Sequence, residues 1–371
     1  MIDNLMVYAP FLSYSGYGTA SRRFCYWLTT LTQDWLFQDI SFVLTEPPQM
    51  DHPDWSKNYC KPLIGGDPIC MVWAIPTLFK NFQPPHAKLK IGSTCFEGDK
   101  ITPEWAEGCN LMDMVLVPAN KQAFIKGGVE EYKIVELPYL PDPAIFSGDI
   151  VPPSRLQPYT FVTIVDANTA YRKGFDLLIE AYYRNFTSKH KVLLRVKTND
   201  KGKTIDQILS IYDKVKPLDK PNIEVIWRSL DDMGIQQFIA GGDCYITPFR
   251  GEGYNIPLYD AIIQHKPVMT TYDTSIPFIP ANIHHETAQL KPIRMVPAYG
   301  DDLAYKNVKW LEVSVGDLGK QMKQCFLAPS DCRLSHTLGA TVIDTKDKIQ
   351  DYMQNLVEII DYYADAKRVL V

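Results

Sequence analysis

The sequence predicts an α/β protein built as two facing Rossmann-like domains with an interdomain cleft, and three observations predict it. Short apolar runs alternate with helical patterns along most of the chain. A strand, a glycine-bearing loop and a helix open it, which is the first unit of a dinucleotide-type fold. At residues 140–158 the stretch LPDPAIFSGDIVPPSRLQP, rich in turn residues, interrupts the alternation as a linker does, and the alternation then resumes. The expected domains are residues 1–150, residues 151–345 and a closing helical segment at residues 346–371.

Taken in order, the strand Leu5-Met6-Val7-Tyr8 leads into the loop PFLSYSGYG and a helix at residues 19–31, where Phe24, Trp27, Leu28 and Leu31 keep helical spacing. Strands follow at residues 40–44, 69–75, 89–95, 114–118 and 134–137, with helices at residues 103–110 and 120–126. The second half places strands at residues 160–165, 192–197, 223–227, 244–247 and 268–271. Helices at residues 174–184, 204–212, 233–240 and 256–265 separate them. Strict alternation of strand and helix implies a parallel sheet with helices on both faces. Two longer helices, at residues 314–327 and 348–366, close the chain.

At 371 residues the chain exceeds one ordinary core, and a prior of roughly 150 residues per domain suggests two. The hydrophobic fraction of 46% is that of a soluble globular protein. No apolar run approaches the ~18 residues of a membrane span. The N-terminus MIDNLMVYAPFLSYSG lacks a basic region ahead of its apolar stretch, so no signal peptide is expected. Neither an integral membrane segment nor export is foreseen, and the chain reads as cytoplasmic. Its 8 cysteines form no Cys-x-x-Cys pair and read as buried thiols, not as disulfides or metal ligands. A net charge of -5 argues against nucleic-acid binding by bulk electrostatics, although a local basic groove stays open. Among 21 tyrosines the ordinary role is core or rim packing, and stacking on a sugar or base in a cleft is the alternative.

The sharpest signal is FRGEGYNIPLYDAIIQHKPV, residues 249–268. Glu252 and Asp260 stand around a Gly253-Tyr254-Asn255 loop that opens a helix, so each acid can take a different part of one polar ligand. A helix begun by Ile256-Pro257-Leu258 points its unpaired N–H groups back towards Glu252, and such an end favours an anionic group. Pro257 suits a first turn, where its missing N–H has no partner to lose. Three loops meet where open parallel sheets bind ligands, outside the carboxyl ends of their strands. They are Ser15-Gly16-Tyr17-Gly18, Arg172-Lys173-Gly174 and the Glu252 loop.

These residues carry a resemblance. RGEGYNIPLYDAIIQHKPV resembles the signature of retaining glycosyltransferases of family 4, in which a glutamate, seven intervening residues and a second acid precede a short helix and Gly-Lys-Pro-Val. SGYGTASRRF is similar to that family's glycine loop, YRKGFDLLIEAY to its lysine turn, and GSTCFEGDKITPEWAEGCNLMDMVLVP to a stretch found in many members. The resemblance implies a GT-B architecture and transfer of a sugar from a UDP or GDP donor to a hydroxyl acceptor with retained configuration. It implies that Glu252 contacts donor sugar hydroxyls and Asp260 the ribose hydroxyls. It further implies that Lys173, helped by Arg172, neutralises the diphosphate while the Gly16 and Gly18 backbone lets it approach. Arg250, Gly253, Tyr254 and Asn255 complete the expected donor site, and Glu97 is placed with Glu252 and Lys173 among the catalytic candidates, touching donor sugar or acceptor. By the same resemblance the last helix packs back towards the first domain, and the departing phosphate takes the acceptor proton in a front-side mechanism.

The chain departs from the pattern in several places. The arginine that many members carry just after the first strand of the second domain has no equivalent in VDANTAYRKG other than Arg172. The second acid is Asp260 instead of glutamate, Asn255 stands where glycine is common, and the family's first-domain histidine has no clear counterpart. Simpler roles stay open for each candidate. Glu252 can complement a helix dipole, Asp260 can cap a turn, Arg172-Lys173 can be an exposed charged turn, and Glu97 can be a buried hydrogen-bonding residue. Arg250 is either a cleft cation or the salt-bridge partner of a nearby acid. His284-His285 with Glu286 lacks a third spaced ligand, and no Asp-x-Asp occurs, so no metal is expected and no cofactor beyond the nucleotide-sugar co-substrate. Three further functions stay open: a silent sugar-nucleotide-binding or scaffold subunit, a transferase whose acceptor is a modified DNA base or a protein, not a glycan or small molecule, and an isomerase of sugar nucleotides on the same fold. Loops at residues 46–68 and 274–303 match no pattern that would name the donor or acceptor.

Overall fold

The computed structural model describes residues 4–31, 37, 39–63, 66–82, 86–151, 158–198, 203–215, 219–273, 288–298, 305–329 and 343–370. The chain divides into two compact units, Met1–Pro143 with Ile343–Val371 as unit 1 and Ala144–Val342 as unit 2. None of the described helices is long and apolar enough to cross a membrane.

Unit 1 begins with strand β1 (Leu5–Ala9), helix α1 (Gly16–Leu31), strand β2 (Ile40–Leu44) and a short helix α2 (Asp54–Lys57). Strands β3 (Ile69–Trp73) and β4 (Leu89–Ser93), helix α3 (Pro103–Asn110), strand β5 (Met114–Val117), helix α4 (Lys121–Gly127) and strand β6 (Ile134–Glu136) follow. The strands lie in the order β2-β1-β3-β4-β5-β6, every described pairing parallel. The central strands β3, β4 and β5 are almost wholly buried, as strands covered on both faces must be. After β6 the chain returns to α1, where Trp27 donates to the Pro141 carbonyl at 2.8 Å and Arg23 pairs with Asp142 at 3.0 Å.

Unit 2 runs β7 (Tyr159–Ile164), α5 (Phe175–Asn185), β8 (Val192–Lys197), α6 (Lys203–Val215), β9 (Asn222–Ile226), α7 (Asp232–Ala240) and β10 (Cys244–Thr247). It continues with α8 (Ile256–Ile263), β11 (Val268–Thr271), β12 (Ala288–Leu290), β13 (Pro292–Pro297), β14 (Lys309–Val313) and α9 (Val315–Leu327). Its main sheet is ordered β12-β11-β10-β7-β8-β9 and is parallel throughout. The direction of winding reverses between β7 and β10, the switch point at which such sheets take ligands. Alternation along the strands sorts the two faces. Phe161, Val192, Leu194, Val196, Cys244 and Ile246 join the core with α5 and α9, and the residues between them lie on the opposite face. The last helix, α10 (Lys346–Leu370), buries Ile349, Met353, Leu356 and Ile360 in unit 1. There its Lys367 meets Asp113 at 2.6 Å and Tyr363 donates to the Tyr132 carbonyl.

The structure corrects the expected elements in three places. Helix α1 starts at Gly16, not at residue 19, because Ser15 caps it: its hydroxyl accepts the Gly18 N–H at 3.0 Å and its carbonyl the Thr19 N–H at 2.9 Å. Gly16 and Gly18 therefore belong to a helical turn and not to the loop before it. Strand β12 and the antiparallel hairpin of β13 and β14 were not foreseen, nor was α2. Strands β3 and β4 end two residues short of the expected 75 and 95.

Candidate active site

At the switch point of unit 2 the loop after β7 meets the loop after β10. Gly174 makes the meeting possible, since its φ of 68° is unfavourable for any side chain and a Cβ there would strike the Pro248 carbonyl oxygen. The two loops are zipped by their main chains. Arg250 N–H donates to the Arg172 carbonyl at 2.7 Å, and the Arg172 guanidinium returns a bond to the Gly251 carbonyl at 2.8 Å. From the far side Thr271 donates to the Phe249 carbonyl at 2.6 Å and Leu311 N–H to the Arg250 carbonyl at 2.8 Å.

This clasp brings Arg172 and Lys173 onto Glu252. Glu252 is only 5% exposed, and its Oε1 accepts from the Lys173 ammonium while Oε2 lies 3.6 Å from the Arg172 guanidinium. Lys173 thus touches Glu252 itself, with no gap between them. Asn255 takes the left-handed conformation at φ 65° and caps α8, accepting the Leu258 N–H and donating to Thr247 Oγ1 at 3.1 Å. Asparagine is among the few residues other than glycine that enter this region readily, which accounts for the departure from glycine at 255. It also means that the Leu258 N–H, expected to point back at Glu252, is taken by the cap. Tyr254 is buried against Tyr259 with ring centroids 4.9 Å apart, and Gly253 is buried beside it.

Asp260 sits deeper, 1% exposed, and accepts a hydrogen bond from Gln236 Nε2 at 2.9 Å. Gln236 is in turn held by Gln264 at 2.7 Å, so a buried amide chain fixes the acid. Tyr245 stands near both acids: burial first, then the charges of Glu252 and Asp260, push its hydroxyl well above the usual phenol range. It stays a neutral donor.

Arg250, placed among the donor-binding candidates, turns its guanidinium to the protein, pairing with both oxygens of Asp176 at 2.7 and 2.8 Å, Glu312 at 3.1 Å and the Tyr171 carbonyl at 2.7 Å. Its guanidinium carbon also lies 3.8 Å from the centre of the Tyr171 ring. Of the two roles left open for it, the salt-bridge partner is the one observed. Asp176, Glu312 and Gln236 were missed from sequence, and a polar residue facing a distant loop carries no local signal.

The remaining candidates lie in unit 1. Gly18 has no room for a side chain, because a Cβ would meet the Ser13 carbonyl, whereas Gly16 faces open space. Beside them Tyr17 exchanges a 2.8 Å hydrogen bond with Thr94 at the carboxyl end of β4. Burial, and then Cys95 and Glu97, raise the Tyr17 hydroxyl well above its ordinary range. Glu97 is half-buried there, and its charge also reaches Tyr139, which stacks 5.6 Å from Trp73. The segment His284-His285-Glu286 falls outside the described residues.

No family model matches the sequence, and no curated protein matches it either. Solved structures do match its fold. A glycosyltransferase from Rickettsia africae is 12% identical over 96% of this chain and 98% of its own, with a TM-score of 0.62. HepE of Anabaena, solved with UDP and glucose, is 10% identical over 96% of this chain and 99% of its own, with a TM-score of 0.61. The fold is GT-B. TarM reaches a TM-score of 0.53 at 15% identity, with the chain spanning about half of TarM's length, 54%. At such identities the GT-B likeness is one of backbone, so the chemistry has to be argued from this chain's own side chains.

Proposed function

We propose that the chain is a retaining glycosyltransferase akin to family 4, taking a sugar from a UDP or GDP donor and passing it to a hydroxyl acceptor. The observation that carries this reading is the set of Arg172, Lys173 and Glu252 gathered at the β7/β10 switch point by a loop clasp that needs Gly174. Ionised carboxylates only accept hydrogen bonds, and sugar hydroxyls supply the donors that Glu252 would take in exchange for Lys173. Lys173, released, would face the diphosphate. That group gains negative charge as the glycosidic bond breaks, so a cation held there lowers the barrier. Asp260, fixed by Gln236, would receive the ribose hydroxyls. The two acids position the donor. The acceptor oxygen then attacks the anomeric carbon on the face the diphosphate leaves, and the departing phosphate oxygen takes the acceptor proton. The roles that the resemblance gives Gly16, Gly18 and Glu97 belong to the same reading, as do a metal-independent reaction, a cytoplasmic setting and a glycan or small-molecule acceptor.

Transfer and hydrolysis of UDP- and GDP-sugars by the wild type and Glu252→Ala test it. The variant should lose roughly ten- to a hundredfold in turnover, the size of one hydrogen bond to a charged group. Unchanged turnover would sink the assignment. The closed Glu252–Lys173 pair also suits a protein that binds nucleotide sugars without turning them over, and nucleotide binding with no transfer to any acceptor would favour that alternative.

A further inference from the structure

One cation at this edge of unit 2 has no hydrogen-bond or ion-pair partner among the described residues. Lys197 is the last residue of β8, opposite Ile164 of β7, and its carbonyl accepts the Val165 N–H at 2.9 Å just before both strands release the chain. Val192, Leu194 and Val196 turn into the core with α5. Lys197 therefore stands on the opposite face, the one on which Asn255 of the α8 cap bonds Thr247. In the order β10-β7-β8 it is two strands from the end of β10, a lateral distance of roughly 10 Å at about 4.8 Å per strand.

The residue is 8% exposed, and its ammonium makes no hydrogen bond or ion pair among the described residues. Asp166, in the loop after β7, is the carboxylate within electrostatic reach, and its Oδ1 already accepts the Asn168 N–H at 2.8 Å. Burial lowers the lysine's pKa, and Asp166 offsets this only in part. Drawing an ammonium part-way out of water without a close counter-ion costs free energy, so its place at a ligand-binding edge needs a reason. Each neighbouring cation, by contrast, has a carboxylate beside it: Glu252 for Lys173 and Arg172, Asp176 and Glu312 for Arg250. The loop VDANTAYRKG also offers no arginine ahead of Arg172.

We propose that Lys197 binds the diphosphate of the donor, entering from the neighbouring strand as a cation whose counter-ion is the ligand itself. This rests on the donor reading above, and the test separates the two. The full chain, Lys197→Met and Lys197→Arg are titrated by calorimetry with UDP, GDP and inorganic pyrophosphate, and their unfolding is measured without ligand. Lys197→Met should bind roughly ten- to a hundredfold more weakly, as one charge-assisted contact is worth. It should be at least as stable as the wild type, because a partly desolvated charge has gone, and Lys197→Arg should stay within a few-fold of wild-type affinity. A Lys197→Met protein that binds as tightly as the wild type overturns the proposal and leaves the donor reading standing. So does one that is less stable, since the lysine would then be structural, and Lys197→Arg takes that place if the methionine variant does not fold. Pyrophosphate binding that depends on Lys197, without nucleotide binding, supports the anion site and sinks the donor reading. Binding of none of the three overturns both.

Discussion

At Gly174 a single missing Cβ permits two loops to close on each other, and the cost of adding it can be separated into two parts. Gly148 also has a positive φ, 82°, but faces open space, whereas Gly174 at 68° lies against the Pro248 carbonyl. Gly148→Ala should lose about 1 kcal/mol of stability, the backbone cost alone. Gly174→Ala should lose roughly 2 kcal/mol or more and weaken nucleotide binding, because Pro248 must shift and Arg172 with it. Urea unfolding of both variants decides: equal losses would show that the close approach matters little. The sequence marked Lys173 and Glu252 through short, dense motifs in which neighbouring residues belong to one loop. It hid the role of Arg250, whose partners Asp176 and Glu312 lie 74 and 62 residues away. Lys197 was equally hidden, because a lysine closing an apolar strand looks like the end of a strand and nothing more.

Among the elements, the hairpin of β13 and β14 was the least legible. Its first strand is flanked by Pro292 and Pro297 and is half-buried to exposed along its whole length, so it has no alternation to read. Yet β14 supplies Glu312, which sits between Arg250 and Arg294, the latter donating through Nε at 2.8 Å. Burial acts to raise the Glu312 carboxyl, and the hydrogen bonds from Arg294 and Arg250 outweigh it, leaving it below its ordinary 4.5. A depressed folded-state value means that this stabilisation is present above the unfolded value and is lost as pH falls through the folded one. Stability of the wild type should therefore fall with acid below pH 4.5 more steeply than that of Glu312→Gln. Urea midpoints across that range measure it, and parallel slopes would remove Glu312 from the account. Helix α1 was read as starting too late for a different reason: Gly16 and Gly18 have poor helix propensity, and the Ser15 cap with the Ser13 contact overrides it. Strands such as β3 and β5 were legible because both faces are covered and each reads as an unbroken apolar run.

For the whole molecule, α10 is the piece on which unit 1 depends. Ile349, Met353, Leu356, Val357 and Ile360 are all buried. At ~1.5–3 kcal/mol for each large apolar side chain, their burial is on the order of 10 kcal/mol, comparable to the net stability of a domain. A chain ended at residue 342 should leave unit 1 open to protease while unit 2 resists, as mass spectrometry of the fragments would reveal. A protease-resistant unit 1 in that protein would refute the dependence. Composition and periodicity showed that a long helix closes the chain, and only the resemblance suggested where it packs, since an amphipathic helix does not name its partner.

The division of unit 1 between the two ends of the sequence also bears on how the protein is made. Domains generally complete in the order in which they leave the ribosome. Here unit 2 is contiguous from Ala144 to Val342, whereas unit 1 needs Ile343–Val371. The sheet synthesised first is thus the one finished last, and its uncovered apolar flank has to be shielded throughout translation of the other.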